Sequence, residues 1–412
     1  MKNTLKFKKF NSINVEERIA VNKVMKSGIL SDFFANRNKN FLGGKYVNKF
    51  ENDCKKFFKV KHAITVNSWT SGLIAIIGSL NVKPGDEIIL SPLTMSACAA
   101  SIIHWGCIPV FCDVDERTFN IDPKKIEGKI SKRTKGIMSI DLFGQPCDMN
   151  EIKKICKKHQ LTFICDSAQS IGAKYKKSFS STIADVGGYS LNFHKHINTG
   201  EGGIIVTNNK KIADKCRLLR NHAETTIKSS NKESLSNMVG FNFRLTEIQA
   251  AIGIEQLKKL KKIIKKKVQV GNYLSKNLHK LPGLIVPYIK KDRTHVYYSY
   301  PMKIDKNLIK INRDKIWKLL ISEGVPVNNK IPCLHELPMF QKLIGYGEKN
   351  FPWGKNKKFK TFYKRGSLPV AENISFNEIL CLQMWAFDFT KKDAKNIVKK
   401  FNKVWKKLNL IK

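Results

Sequence analysis

Hydrophobic positions in the first two-thirds of the chain follow two alternating rhythms. Short, almost continuous apolar runs at 62–66, 87–91, 108–114, 136–143, 161–166, 187–192 and 203–207 predict strands. Stretches at 71–80, 95–104, 150–159 and 210–221, with apolar residues three to four apart, predict helices between them. Strands of nearly unbroken Val, Ile, Leu and Phe are the kind covered on both faces, and their alternation with helices builds an α/β layer. The expected fold is therefore a three-layer α/β/α large domain around a mostly parallel seven-stranded sheet. A long helical pattern over 245–268 follows, with Ile248, Ala251, Ile254, Leu257, Leu260 and Ile264 as its stripe. Past it the character changes: an extended segment at 297–304 mixes with helices at 315–323 and 391–407, and a Lys/Asn-rich turn at 353–358 reads as a surface loop. The division expected is 1–264 for an N-terminal segment with the large domain, and 265–412 for a smaller C-terminal α+β domain.

Composition narrows the class. A chain of 412 residues, 42% hydrophobic, can bury a substantial core and form more than one domain. No apolar run approaches the ~20 residues needed to cross a bilayer. The stretch 1–20 is polar, without the apolar centre and small-residue cleavage site of a secretory leader. A cytoplasmic chain with no membrane partner is the expectation. The ten cysteines contain no CxxC pair and no spacing with histidine that suits zinc, so they read as buried thiols and no metal is expected. The formal net charge of +42 raises a polyanionic partner as a possibility. Yet the lysines are spread over the whole chain, and no nucleic-acid-binding motif accompanies them. The densest block, 257–267, has helical spacing with a solvated lysine face. Nucleic acid is therefore not the expected partner, although the same charge would favour an anionic substrate.

Three segments carry candidate chemistry. In the first, Gly187-Gly188-Tyr189-Ser190 ends a strand, Lys195 follows five residues after Ser190, and Gly200-Glu201-Gly202-Gly203 turns into the next strand. A single lysine in so basic a chain is ordinarily a surface residue; here the flanking pattern singles it out. In the second, Asp166 closes the apolar run at 161–166 and is followed by Ser167-Ala168-Gln169. The carboxyl ends of strands in open α/β sheets are where ligands bind, and a carboxylate there needs a cationic partner or else serves as a helix cap. The third, Asn67-Ser68-Trp69-Thr70-Ser71-Gly72, ends a strand and opens a helix, offering N–H and hydroxyl donors to a phosphate or simply capping the helix. Read together they make one site: phosphate cradle, carboxylate and lysine.

The sequence resembles the DegT-type family of pyridoxal-phosphate sugar aminotransferases, which have the aspartate-aminotransferase fold. The similarity runs almost end to end, through Gly43-Gly44-Lys45-Tyr46-Val47, Lys83-Pro84-Gly85-Asp86-Glu87 and Phe143-Gly144-Gln145-Pro146, the aspartate and lysine segments, Gly240-Phe241-Asn242-Phe243-Arg244 and His295-Val296-Tyr297-Tyr298. The resemblance implies that pyridoxal phosphate is the cofactor and that Lys195 is the Schiff-base lysine and later the general base. It further implies that Asp166 faces the pyridine nitrogen, Gln169 lies near the ring hydroxyl, and Ser190, Thr70 and the amide of Trp69 hold the phosphate. Asn242 matches an asparagine that reaches the phosphate from a neighbouring subunit, which implies a homodimer with shared sites. Two positions depart from the family pattern. Trp69 stands where a small residue is usual, and Met95 stands where an aromatic ring often stacks on the cofactor, a face that a thioether can also cover.

The implied activity is transfer of an amino group, from an amino acid such as glutamate to a keto-sugar, nucleotide-linked in the family pattern, for a surface polysaccharide. Two alternatives share the scaffold. Sugar 3-dehydratases resemble this family but carry histidine at the lysine position, which makes the register of His194, Lys195 and His196 decisive. A non-enzymatic regulator is the other. His295, Tyr298 and His335, with the loops at 27–45 and 221–237, are candidates for the substrate side.

Overall fold

The computed structural model describes residues 6–35, 39–223, 239–354 and 358–411. Most of the substrate-side loop expected at 221–237 therefore lies outside the described residues, as does part of the turn at 353–358.

The large sheet is built from β1 (His62–Val66), β2 (Glu87–Leu90), β3 (Ile108–Phe111), β4 (Thr134–Ile140), β5 (Thr162–Asp166), β8 (Val186–Ser190) and β9 (Gly203–Thr207). A small hairpin of β6 (Lys174–Tyr175) and β7 (Ser178–Phe179) stands apart from it. The seven strands lie in the order β1-β9-β8-β5-β4-β2-β3. Only β9 runs against its neighbours, pairing antiparallel with both β1 and β8. The expected mostly parallel seven-stranded sheet is what the chain forms.

Alternation along the strands explains the three layers. On β9, Ile205 enters one core, with Leu73, Ile76 and Ile77 of the helix α3, which spans Trp69–Ser79. Its neighbours Ile204 and Val206 enter a second core, with Val47, Phe50, Cys54 and Phe58 of the helix Lys45–Phe58. Successive strand residues point to opposite faces, so a strand that is apolar throughout needs helices on both sides.

The long helix is longer than the pattern predicts, Glu247–Leu278. Its first half packs Leu257 and Leu260 against the large sheet, and its second half packs Val270, Leu274 and Leu278 into a third core. That core also holds the small antiparallel sheet of β10 (Leu284–Ile285), β11 (Tyr300–Ile304), β12 (Val327–Asn328) and β13 (Ile379–Leu382), and the helix Lys391–Lys407. The helix thus runs through residues 264 and 265 without a break. The segment 331–374 returns to the large core, contributing Ile331, Leu334, Phe340, Tyr363 and Ile374.

Two surface expectations need correction. Trp353, the first residue of the predicted surface turn, is buried against Phe340 and Tyr363. The lysine face at 257–267 is not wholly solvated either. Lys259 pairs with Glu17 at 2.7 Å, and Lys267 is buried over the ring of Phe10, donating to the Met384 carbonyl. Burial pushes the Lys267 ammonium down from 10.5 to about 7. All ten cysteines are buried and free of disulfides. No helix among the described residues is long and apolar enough to cross a membrane.

Candidate active site

Sheet register brings the three candidate segments to one edge. Asp166 pairs with Gly188 on β8, and Ser190 pairs with Gly203 on β9, which in turn pairs with Val66 at the end of β1. The helix α3 begins three residues after Val66, and the helix α4 (Ser96–His104) opens shortly after β2. A cleft of about 660 Å³ lies across these ends. It is lined by Trp69, Thr70, Met95, Asp166, Gln169, Ser190 and Lys195, joined by Cys98, Tyr298 and Lys330. Carboxyl ends of parallel strands are where this sheet architecture binds ligands.

At one end stands the start of α3. The Ser68 hydroxyl accepts from the Ser71 amide at 3.1 Å, capping the helix. The amides of Trp69 and Thr70 have no acceptor within the helix, and the macrodipole adds positive charge there, so the turn suits a phosphate. Ser190 lies buried beside it, its hydroxyl accepting from the Asn192 amide at 3.2 Å. Gln169 also faces the cleft, with its side-chain oxygen held by the Phe143 amide at 2.7 Å.

At the other end, Asp166 is only 4% exposed. One oxygen, Oδ1, accepts from the indole of Trp69 at 2.8 Å and from the Ala168 amide at 2.9 Å. The other, Oδ2, accepts, among the described residues, only from the thiol of Cys98 at 3.1 Å. Among the described residues no Lys, Arg or His pairs with this carboxylate within 4.0 Å. A buried carboxylate without a cation is costly, and a protonated pyridine nitrogen in the cleft would supply one. The residues present therefore fit pyridoxal phosphate: a helix start for its phosphate, a buried carboxylate free of salt bridges among the described residues for its ring nitrogen, and a lysine for its aldehyde.

Lys195 is 7% exposed, its ammonium 4.6 Å from the centre of the Tyr298 ring. Burial pushes it down from 10.5 to about 8, against an upward pull from Asp166 and Cys98. The neighbouring histidines behave differently. The His196 ring is buried away from the cleft, with Nε2 donating to the Val296 carbonyl at 2.8 Å, and burial lowers it to about 3. His194 lines the cleft and bonds the Tyr298 hydroxyl through Nδ1 at 2.9 Å, and burial together with the Lys195 charge lowers it to about 4. Both imidazoles are neutral near pH 7, leaving Lys195 as the titratable amine of the segment.

Other candidates fall elsewhere. His295 and His335 do not line the cleft. His295 is buried and accepts the Tyr297 amide at 3.0 Å, and burial lowers it to about 3. His335 is buried against Glu372, with 2.8 Å between Nε2 and a carboxylate oxygen. That carboxylate is also committed to the amides of Gly366 and Leu368, so this is a structural brace between the short helices Leu334–Glu336 and Pro369–Asn373. Met95 stands at the cleft mouth, 65% exposed. Asn242 is exposed, outside this chain's cleft, with Oδ1 accepting from Arg244 at 2.8 Å. Sequence reasoning did not find Cys98, Asn328, Lys330 or Cys381 in the lining. The last three come from the far end of the chain, and only β12 and β13 folding back over the cleft bring them there.

Comparison with known proteins places this geometry. The model of the DegT/DnrJ/EryC1/StrS aminotransferase family matches residues 33–402. A GDP-perosamine synthase of Caulobacter vibrioides is 35% identical over 73% of this chain and 80% of its own length. The spore coat polysaccharide biosynthesis protein SpsC of Bacillus subtilis is 33% identical over 89% of this chain and 92% of its own. Among solved structures, PseC of Helicobacter pylori, described as an aminotransferase involved in the biosynthesis of pseudoaminic acid, superposes with a TM-score of 0.81 at 25% identity, covering 98% of this chain and all of that one.

Proposed function

The chain belongs to the DegT/DnrJ/EryC1/StrS aminotransferase family, and from that premise we propose that it moves the amino group of glutamate to the ketone of a nucleotide-linked keto-sugar. It is a pyridoxal-phosphate-dependent aminotransferase of amino-sugar biosynthesis. The observation that carries the residue assignment is the pairing, in one cleft, of a buried lysine held near 8 with a buried carboxylate that has no salt-bridge partner among the described residues.

Bound pyridoxal phosphate supplies an aldehyde that condenses with primary amines and a ring that accepts the electron pair left when a carbon loses its proton. The protein residues do the rest. The amides at the start of α3, with Thr70 and Ser190, hold the phosphate. Asp166 keeps the ring nitrogen protonated. Near pH 8 about half the Lys195 amines are neutral, so Nζ can act as a nucleophile and can carry a proton from one carbon to the next. The ring of Tyr298 and the neutral His194 crowd that amine and keep bulk water from it. The net exchange turns amino acid and ketone into keto acid and amine, with no external oxidant.

The activities for which relatives are named, GDP-perosamine synthase and a UDP-amino-sugar transaminase, support a nucleotide-linked acceptor, and the exposed Lys330 in the cleft lining suits an anionic group. A surface polysaccharide is the fitting destination, since one relative serves a spore-coat polysaccharide. A cytoplasmic site of synthesis and a homodimer complete the reading. Asn242 is exposed outside its own cleft, and Ile29, Leu30, Phe34 and Met95 are exposed apolar side chains that a second copy would cover. The test is transfer of labelled nitrogen from glutamate to a panel of GDP- and UDP-linked keto-sugars, read by mass spectrometry. Labelled amino-sugar with one of them is the expected result; with free keto-sugar acids assayed alongside, labelling of those acids alone would refute a nucleotide-linked acceptor.

A further inference from the structure

Trp69 occupies a slot cut for it by glycine. A Cβ at Gly188 would lie 2.4 Å from the Trp69 ring, and one at Gly72 2.9 Å from it. A Cβ at Gly203 would lie 2.9 Å from the Trp69 Cα. The ring therefore lies against Gly188 of β8 and Gly72 of α3 with its N–H end at Asp166, while the Trp69 backbone lies against Gly203 of β9, and the residue is 6% exposed. Nothing in a hydrophobic filler requires that direction.

The two oxygens of Asp166 are unequal as a result. Oδ1 holds two N–H donors, from Trp69 and from the Ala168 backbone. Oδ2 holds one thiol, the weaker kind of donor, and a carboxylate oxygen has room for a further bond. The indole bond, made to a charged acceptor, fixes the rotation of the carboxylate. We propose that Trp69 is a positioning residue, whose indole N–H holds Asp166 so that Oδ2 is offered to the ring nitrogen of pyridoxal phosphate. The proposal rests on the reading of the cleft as a pyridoxal-phosphate site. Its content is that the bulky residue in a place where a small one is usual acts through Asp166 on the cofactor's ring nitrogen, in addition to lending its backbone amide to the phosphate.

The test compares two ligands. Trp69→Phe keeps an aromatic ring in the slot and removes the N–H. Equilibrium dissociation constants are measured on cofactor-free protein for pyridoxal phosphate and for its analogue with C–H in place of the ring nitrogen. Losing a hydrogen bond to a buried charged acceptor should weaken pyridoxal phosphate about tenfold. The analogue, which has no ring nitrogen to pair, should change by less than about twofold. An equal loss for both ligands would mean that the side chain only fills space, and no loss for either would mean that the N–H is idle; each overturns the proposal. A native chain that binds no pyridoxal phosphate would instead overturn the cofactor reading itself. Should Trp69→Phe fail to fold, benzothienylalanine at position 69, with sulfur in place of the N–H, preserves the shape and makes the same comparison.

Discussion

Burying Lys195 costs the folded protein stability, and the cost should be measurable by removing it. The amine titrates near 10.5 when unfolded and near 8 in the cleft, because burial disfavours its charged form. At ~1.36 kcal/mol per unit, the shift corresponds to a penalty of about 3 kcal/mol wherever both states are protonated. The sign follows from proton counts. Below about 8 both folded and unfolded chains hold the proton, and the whole penalty is present. Between about 8 and 10.5 the unfolded chain binds the proton and the folded chain does not, so native stability rises with pH across that window. Lys195→Met fills similar space without a charge. Cofactor-free Lys195→Met should therefore be the more stable protein at pH 7 by up to about 3 kcal/mol, with the advantage shrinking steadily above pH 8. Urea unfolding followed by circular dichroism at several pH values reads this directly. An advantage that is absent at pH 7, or that does not change with pH, would refute the assignment of a desolvated lysine here.

Two further outcomes follow from the packing. Arg220 is fully buried, donating to Glu51 at 2.5 Å and to the Thr65 carbonyl at 3.0 Å, so Arg220→Met strands a buried carboxylate. It should lower unfolding free energy by about 3–5 kcal/mol in the same urea assay, with no pH-dependent recovery between 7 and 9. Gly188→Ala would set a methyl group 2.1 Å from the Ile204 carbonyl and 2.4 Å from the Trp69 ring. It should weaken pyridoxal-phosphate binding at least tenfold by displacing Trp69 and Asp166, as measured by equilibrium dialysis.

The parts of this structure that were legible in the sequence are those written locally. β1 and β9 fall on the residues that the apolar runs mark, because a strand buried on both faces reads as a nearly continuous apolar run. Asp166, Ser190 and Lys195 were legible because strand ends and glycine turns bracket them. The helix Lys45–Phe58 was not assigned, although Val47, Phe50, Cys54 and Phe58 carry its buried face at helical spacing; dense lysines hide that stripe from composition. The roles of His295 and His335 could not be read from the chain, since a histidine near a motif looks the same whether it faces a cleft or a carbonyl. Cys98 and the indole of Trp69 act on Asp166 only through tertiary contact, 68 and 97 residues away along the chain. No local pattern encodes such a bond. The indole is visible only once the sheet register sets Gly188 beside Asp166.

The most direct experiment is the visible spectrum of the protein loaded with pyridoxal phosphate, before and after glutamate, for the native chain and for Lys195→Ala. A visible band in the native protein that glutamate bleaches is expected, and no such response when the lysine is absent. Equal bleaching in Lys195→Ala would contradict the role assigned to Lys195.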